Sequence, residues 1–252
     1  MKIKNQFDED LDLVVEGNEG SDETVIFVHG FGTNKDEGSG LFVDISRSLV
    51  NRFRIVRFDF AGYGKSEGRQ EDMTIEKEAT DLDTMIGFVR KNYGDNIYLL
   101  GMSLGCYVIA LLSPDNIKNT VFVSPPDSNQ EVTARRLEGK ISLKKDGVVN
   151  KEGITIYPRS SGELQRIGQG FWKSLHSFNA KDAIFAYSRK TDLFTIIPVG
   201  DEILERKNMD IYDKCSKACI RLKGNHAFTN PEERKALISN IVKLFENFHK
   251  TH

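Results

Sequence analysis

No stretch of this sequence reaches the roughly 18 consecutive apolar residues that a membrane-spanning helix needs, so no membrane span is expected. The opening MKIKNQFDEDLDLVVEG has no apolar core of the kind a secretory leader carries. Cysteine is scarce. Cys106, Cys215 and Cys219 cannot all pair with one another, and no His/Cys cluster has zinc spacing, which argues against a disulfide scaffold and a zinc site. A charge excess is lacking too: 35 Lys and Arg against 37 Asp and Glu give no electrostatic reason to bind nucleic acid or an anionic membrane. No internal repeat is visible. One glycine-rich segment, AGYGKSEG (61–68), looks superficially like a phosphate loop but lacks the G-x-x-x-x-G-K-[ST] spacing. The expectation is a cytoplasmic protein with reduced thiols and neither metal nor organic cofactor.

What is present is a regular alternation. Short runs rich in Val, Ile and Phe read as buried strands: TVIFVHG (24–30), RIVRFDF (54–60), NIYLLG (96–101), TVFVS (120–124), LFTIIPVG (193–200) and ACIRLKG (218–224). The opening segment adds a strand or hairpin at one edge. Between the runs lie segments with helical spacing. The clearest is Ile75 to Tyr93, where Ile75, Ala79, Leu82, Met85, Ile86 and Val89 share a face, with Thr74 as N-cap and Gly94 as stop. Leu41–Leu49, Leu104–Leu112 and Glu232–Phe248 are further helices. This rhythm predicts one α/β domain over 1–252, with a mostly parallel central sheet and helices on both faces. Residues 127–178 break the rhythm and read as a small inserted lid. Within it, ISLKKDGVVNKEGITIYP (141–158) suggests a hairpin turning at Asp146-Gly147, or at Asn150-Lys151 with Gly153. The insertion holds nine Lys/Arg against six Asp/Glu, a weak basic bias that reads first as a solvated face and, as the alternative, as favouring substrates with a carboxylate or phosphate.

The chemistry centres on Gly101-Met102-Ser103-Leu104-Gly105, a G-x-S-x-G segment at the end of one predicted strand and the start of a predicted helix. In such an elbow the serine hydroxyl projects from a sharp turn, and the glycines leave room where helix and strand approach. A serine needs an adjacent base oriented by a third group. Of five histidines, His249 and His252 lie in the terminal tail, His29 in FVHGFG and His176 in the insertion. His226 follows the last predicted strand, at the end of a parallel sheet where ligands bind, and is the expected base. Asp201, after LFTIIPVG and beside Glu202, is the favoured orienting acid. Asp127, after VFVSPP, is the competing one, and Asp192 precedes its strand and lies at the wrong end. The order Ser103, Asp201, His226 is a known triad order. The oxyanion would be held by the Leu104 N–H and, from the HGFG loop, the Phe31 N–H. Phe171 and Trp172 would either line an acyl or aryl pocket or anchor the lid.

HGFGTNKDE, RFDFAGYGKSEG, EDMTIEKEATDLDTMIGFV, GMSLG, VGDEIL and GNHAF together resemble, in order, the recurring segments of the α/β-hydrolase superfamily. Within it the chain is most similar to the cinnamoyl/feruloyl-esterase-like serine hydrolases. It departs from them at Met102, where many relatives have histidine, and in a shorter gap between the glycine and aspartate of VGDEIL. The resemblance implies an α/β-hydrolase fold and a Ser103–His226–Asp201 triad with Phe31 and Leu104 as oxyanion donors. It implies hydrolysis of small-molecule carboxylic esters through an acyl-enzyme, and a structural role for Asp59. A thioesterase, lipid hydrolase, peptidase or acyltransferase would use the same triad. A catalytically silent binding protein of the same fold would have no need of the whole set.

Overall fold

The computed structural model describes residues 1–201 and 209–246. Strands form where the apolar runs lie. They are β1 (Lys2–Lys4), β2 (Asp10–Gly17), β3 (Glu23–Val28), β4 (Arg54–Phe58), β5 (Asn96–Met102), β6 (Ile117–Val123), β7 (Thr155–Pro158), β8 (Leu164–Ile167), β9 (Asp192–Pro198) and β10 (Ala218–Leu222). All but β7 and β8 join one sheet in the order β1-β2-β4-β3-β5-β6-β9-β10. The β1–β2 and β2–β4 pairings are antiparallel, and every pairing from β4 to β10 is parallel. The α/β expectation therefore holds, and the opening segment is the antiparallel edge.

The helices are α1 (Leu41–Leu49), α2 (Ile75–Tyr93), α3 (Leu104–Leu112), α4 (Gln130–Ser142), α5 (Gln169–Ser177), α6 (Ala180–Tyr187), α7 (Asp210–Cys215) and α8 (Pro231–Glu246). The predicted last helix ran to Phe248, and its final two residues lie outside the described ones. Side chains alternate across the sheet with period two, as strand geometry requires. Val25 and Phe27 of β3 enter one core, with Phe42 of α1 and Ile241 of α8, while Ile26 and Val28 enter the other, with Leu82 of α2 and Val108 of α3. Helix α2 is capped as its sequence suggests: the Thr74 hydroxyl accepts the Lys77 N–H at 3.0 Å, and Gly94 ends it with φ 104°. Helix α3 is buried on all sides from Leu104 to Ala110, because it lies under the sheet and packs against both α2 and α6. A helix so placed has to be apolar all round.

The 127–178 segment differs from the expected hairpin. Residues 130–142 form α4, and Asp146 (φ 66°) and Gly147 turn the chain after it, with the Gly147 N–H on the Lys144 carbonyl. The hairpin is β7 with β8, reversed at Arg159–Glu163, where Gly162 adopts φ 88°. Val148 contributes only an isolated bridge to Ile156. The turn chemistry at Gly162 outcompetes the Asp-Gly signal, which serves to stop a helix. All three cysteines carry free thiols, and none of the described helices is long and apolar enough to cross a membrane.

The tightest constraint lies between α3 and β3. A Cβ on Gly105 would sit 2.4 Å from the Val28 carbonyl oxygen and 2.7 Å from that of His29, both backbone atoms that cannot give way. At Gly101 the nearest obstacle is Ile109 Cδ1 at 2.8 Å, the end of a flexible side chain. Gly105→Ala is therefore expected to lower unfolding free energy by about 1–3 kcal/mol, the usual cost of overpacking, and Gly101→Ala by less. Denaturant titration of the two variants checks this. Equal losses would mean that the helix–strand approach is not what limits position 105.

Candidate active site

Ser103 sits between β5 and α3 with φ 51° and ψ −123°, a backbone conformation that a residue with a side chain adopts only under constraint. Its N–H donates to the Val123 carbonyl at 3.0 Å and its carbonyl accepts the Cys106 N–H at 2.9 Å, so the elbow is fastened to β6 and to α3. The hydroxyl is left projecting from the carboxyl edge of the sheet. His226 Nε2 lies 3.0 Å from Ser103 Oγ, and His226 Nδ1 lies 2.7 Å from Asp201 Oδ2. With Nδ1–H donating to the carboxylate, Nε2 is free to accept the serine proton, the tautomer that general-base catalysis needs.

The loops carrying these groups are tied together. Val199 N–H donates to the Leu222 carbonyl at 2.7 Å and Gly200 N–H to that of Gly224 at 2.9 Å, which joins the loop after β9 to the loop after β10. The Ser124 hydroxyl donates to the His226 carbonyl at 2.8 Å. Asp127, the competing acid, is buried in the turn before α4, where its Oδ1 accepts the Asn129 N–H at 2.9 Å. His176 pairs instead with Glu131 of α4 at 2.8 Å, and Glu202, His249 and His252 lie outside the described residues.

The loop after β3 closes the site from the other side. A Cβ on Gly30 would come within 3.1 Å of Ser103 Cβ, so this backbone lies against the serine. His29 is buried: its Nε2 accepts the Phe60 N–H at 3.1 Å and its Nδ1–H donates to the Gly30 carbonyl at 2.9 Å. Glu37 holds the same loop from within. Its Oε2 accepts the Gly30 N–H at 2.6 Å and the Thr33 hydroxyl at 3.1 Å, while Oε1 accepts the Gly38 N–H at 3.0 Å. Below, Asp59 takes the Lys35 N–H at 2.6 Å and the Lys35 ammonium at 2.8 Å, the structural use expected of it. Burial works against the charge on Lys35, but its bonds to Asp12 and Asp59 hold its pKa above the usual value. Neither the Phe31 nor the Leu104 N–H has an acceptor among the described residues, and both flank Ser103.

A cavity of about 280 Å³ opens on Ser103 and His226. Phe31, Leu137, Phe171 and Leu175 supply apolar wall, and Phe171 stacks on Phe31 with ring centroids 4.9 Å apart. Trp172 is not part of that wall. Its indole N–H donates to the Thr155 hydroxyl at 3.1 Å and its ring packs edge-on to Phe171, so of its two sequence readings the structure has it as an anchor of the β7–β8 hairpin. Arg136 and Lys140 from α4, and Tyr157 and Arg159 from the hairpin, also line the cavity. Sequence reasoning named none of these, nor Glu37. The one signal for Glu37 was its place in the NKDEG turn that follows HGFGT. Among the described residues no three His, Cys, Asp or Glu side chains cluster as a metal site.

Comparison with known proteins places this geometry in context. The family described as alpha/beta hydrolase fold matches residues 23–191. The Est1E protein from Butyrivibrio proteoclasticus, solved with ferulic acid bound, superposes with a TM-score of 0.75 at 19% identity, covering 96% of this chain and 98% of that one. The esterase Pf2001 from Pyrococcus furiosus gives 0.74 at 19% identity, covering 98% and 89%. At that identity the likeness is one of fold. The uncharacterized protein R595 of Acanthamoeba polyphaga mimivirus is 31% identical over 112 residues, which are 43% of this chain and 37% of that protein. The matched segments span 23–37% of the length of the curated relatives.

Burial pushes the His29 imidazole below its ordinary pKa, so it stays neutral in the folded chain. The unfolded chain takes up a proton at this position below about pH 6.5. The stabilisation is therefore complete above that pH and is lost as pH falls toward the folded value, at up to about 1.4 kcal/mol per unit. His29→Gln is expected to be less stable than wild type at pH 7, with the gap narrowing between pH 7 and pH 5 in denaturant titrations. A gap independent of pH would show that His29 is not held neutral by burial.

Proposed function

The chain belongs to the α/β-hydrolase fold family, and from that membership and the geometry at Ser103 we propose a serine hydrolase that cleaves small-molecule carboxylic esters through an acyl-enzyme. One observation carries the reading: an unbroken hydrogen-bonded line from Asp201 through His226 to Ser103, at an elbow whose strained backbone holds the hydroxyl out. A binding role has no use for that line.

Ser103 Oγ attacks the ester carbonyl carbon while its proton passes to His226 Nε2, and Asp201 stabilises the imidazolium that forms. The carbonyl oxygen, now an oxyanion, is held by the Phe31 and Leu104 N–H groups. The second of these stands in the first turn of α3, where the helix dipole adds to the field. Collapse of the intermediate breaks the bond to the alcohol, which leaves with the proton from His226. Water then adds to the acyl-enzyme with the same base, releasing the acid and restoring Ser103. Phe171, stacked on the residue that supplies one oxyanion donor, would guide the substrate's apolar part to the carbonyl. Residues 127–178 are read as the lid, since α4, the hairpin and α5 all contribute to the cavity wall.

A fluorophosphonate probe, read by intact mass, is expected to label wild type once and Ser103→Ala not at all. No labelling of folded wild type would sink the reading. Asp201→Asn is expected to lower kcat on p-nitrophenyl esters by a factor on the order of 10⁴, as in other Ser-His-Asp enzymes, with Asp127→Asn far milder. The reverse ranking would move the acid to Asp127.

A further inference from the structure

Two turns, one on each side of the catalytic serine, hold their backbones in conformations that residues with side chains avoid. The first carries His226. It is closed by the Phe228 N–H, which donates to the Asn225 carbonyl at 3.1 Å, and Phe228 itself has φ 47°. The second lies between the β3 loop and α1, where Glu37 has φ 56° and Ser39 has φ 55°. Left-handed backbone at such residues persists only where the surroundings over-determine it. For Phe228 one restraint is its own buried ring, which lies on Gly224: a Cβ there would come within 2.6 Å of it.

A further restraint is common to both turns. Arg234, in the first turn of α8, donates from Nε to the Phe228 carbonyl at 3.0 Å and from Nη1 to the Ser39 carbonyl at 2.9 Å. Nη1 also pairs with Asp44 of α1 at 2.8 Å, and the side chain is only 13% exposed. One guanidinium thus takes the carbonyl two residues beyond His226 and the carbonyl two residues beyond Glu37. Its planar fork fixes the separation of those two acceptors, which a flexible ammonium does not. Bonds from a charged donor are also stronger than those between neutral groups. Helix α8 is seated by Leu237, Ile241 and Phe245, which are buried in the core, so the frame that carries Arg234 is firm.

We propose that Arg234 is a positioning residue for the reaction, clamping the turn of the general base to the turn that ends the oxyanion loop. This rests on the serine-hydrolase reading above. Arg234 touches no reacting atom. It acts through the 3.0 Å approach of His226 Nε2 to Ser103 Oγ on one side, and through the Glu37 carboxylate on the Gly30 N–H on the other. Without the clamp the two sides lose their common reference, and the chemical step slows while the cavity that receives the ester keeps its walls. A misplacement of about 1 Å at reacting groups costs on the order of 10²-fold in rate.

The test compares Arg234→Ala with wild type. The fluorophosphonate probe is expected to reach one label per chain in both, but at least about tenfold more slowly in the variant. On p-nitrophenyl butyrate kcat should fall by a similar factor with KM within about twofold, the pattern of an interaction lost in the transition state. Arg234→Lys, which keeps the charge without the fork, should lie between the two. A variant that is merely destabilised would label a smaller fraction of chains at the wild-type rate; that result, or wild-type rates throughout, would overturn the clamp. Should Arg234→Ala fail to fold, Arg234→Lys decides by the same measurements: slowed labelling that still reaches one per chain supports the clamp, and an unchanged rate overturns it. No labelling of folded wild type would overturn the hydrolase reading itself.

Discussion

The site depends on how closely α3 approaches β3. Gly105 lies against the Val28 and His29 carbonyls at a distance that admits no side chain, so the first turn of α3 lies under the loop that leaves β3. That approach sets three things at once. It forces Ser103 into its left-handed turn, because the chain has to reverse from strand to helix without room to spread. It brings the Gly30 backbone against the serine, and it sets Leu104, in the first turn of α3, on the wall of the cavity that Phe31 also lines. The position of the serine is thus set by packing of backbone on backbone, which moves less than any side chain.

The second requirement is that the β3 loop hold its shape with its N–H groups turned inward. Three contacts meet it. His29 ties the loop to Phe60 as a neutral ring, Glu37 accepts its N–H groups from within, and Asp59 with Lys35 locks its far end. A protonated imidazole at position 29 would compete with Lys35 for the same acidic surroundings and lose its acceptor for the Phe60 N–H. Burial keeps it neutral, and the hydrogen-bond pattern needs it neutral. The two demands agree, which is why so polar a loop tolerates so deep a site.

Most of the sheet was legible because parallel strands buried on both faces are continuous apolar runs, and each of the six runs became a strand within a few residues. The serine and histidine were legible for a different reason: each follows a strand directly, and the fold brings all such positions to one edge. The acid was less so. Asp201 and Asp127 both follow strands, and only the register of the β9 and β10 loops, with Gly200 bonded to Gly224, decides which carboxylate meets the imidazole. Residues 127–178 were the least legible. In α4 the face toward the cavity carries Arg136 and Lys140, which erases the apolar period that identifies a helix. The hairpin turn at Gly162 was hidden by a stronger-looking Asp-Gly pair that stops α4. Trp172 read equally well as pocket wall or anchor because a sequence does not say which side of a short helix faces the cavity.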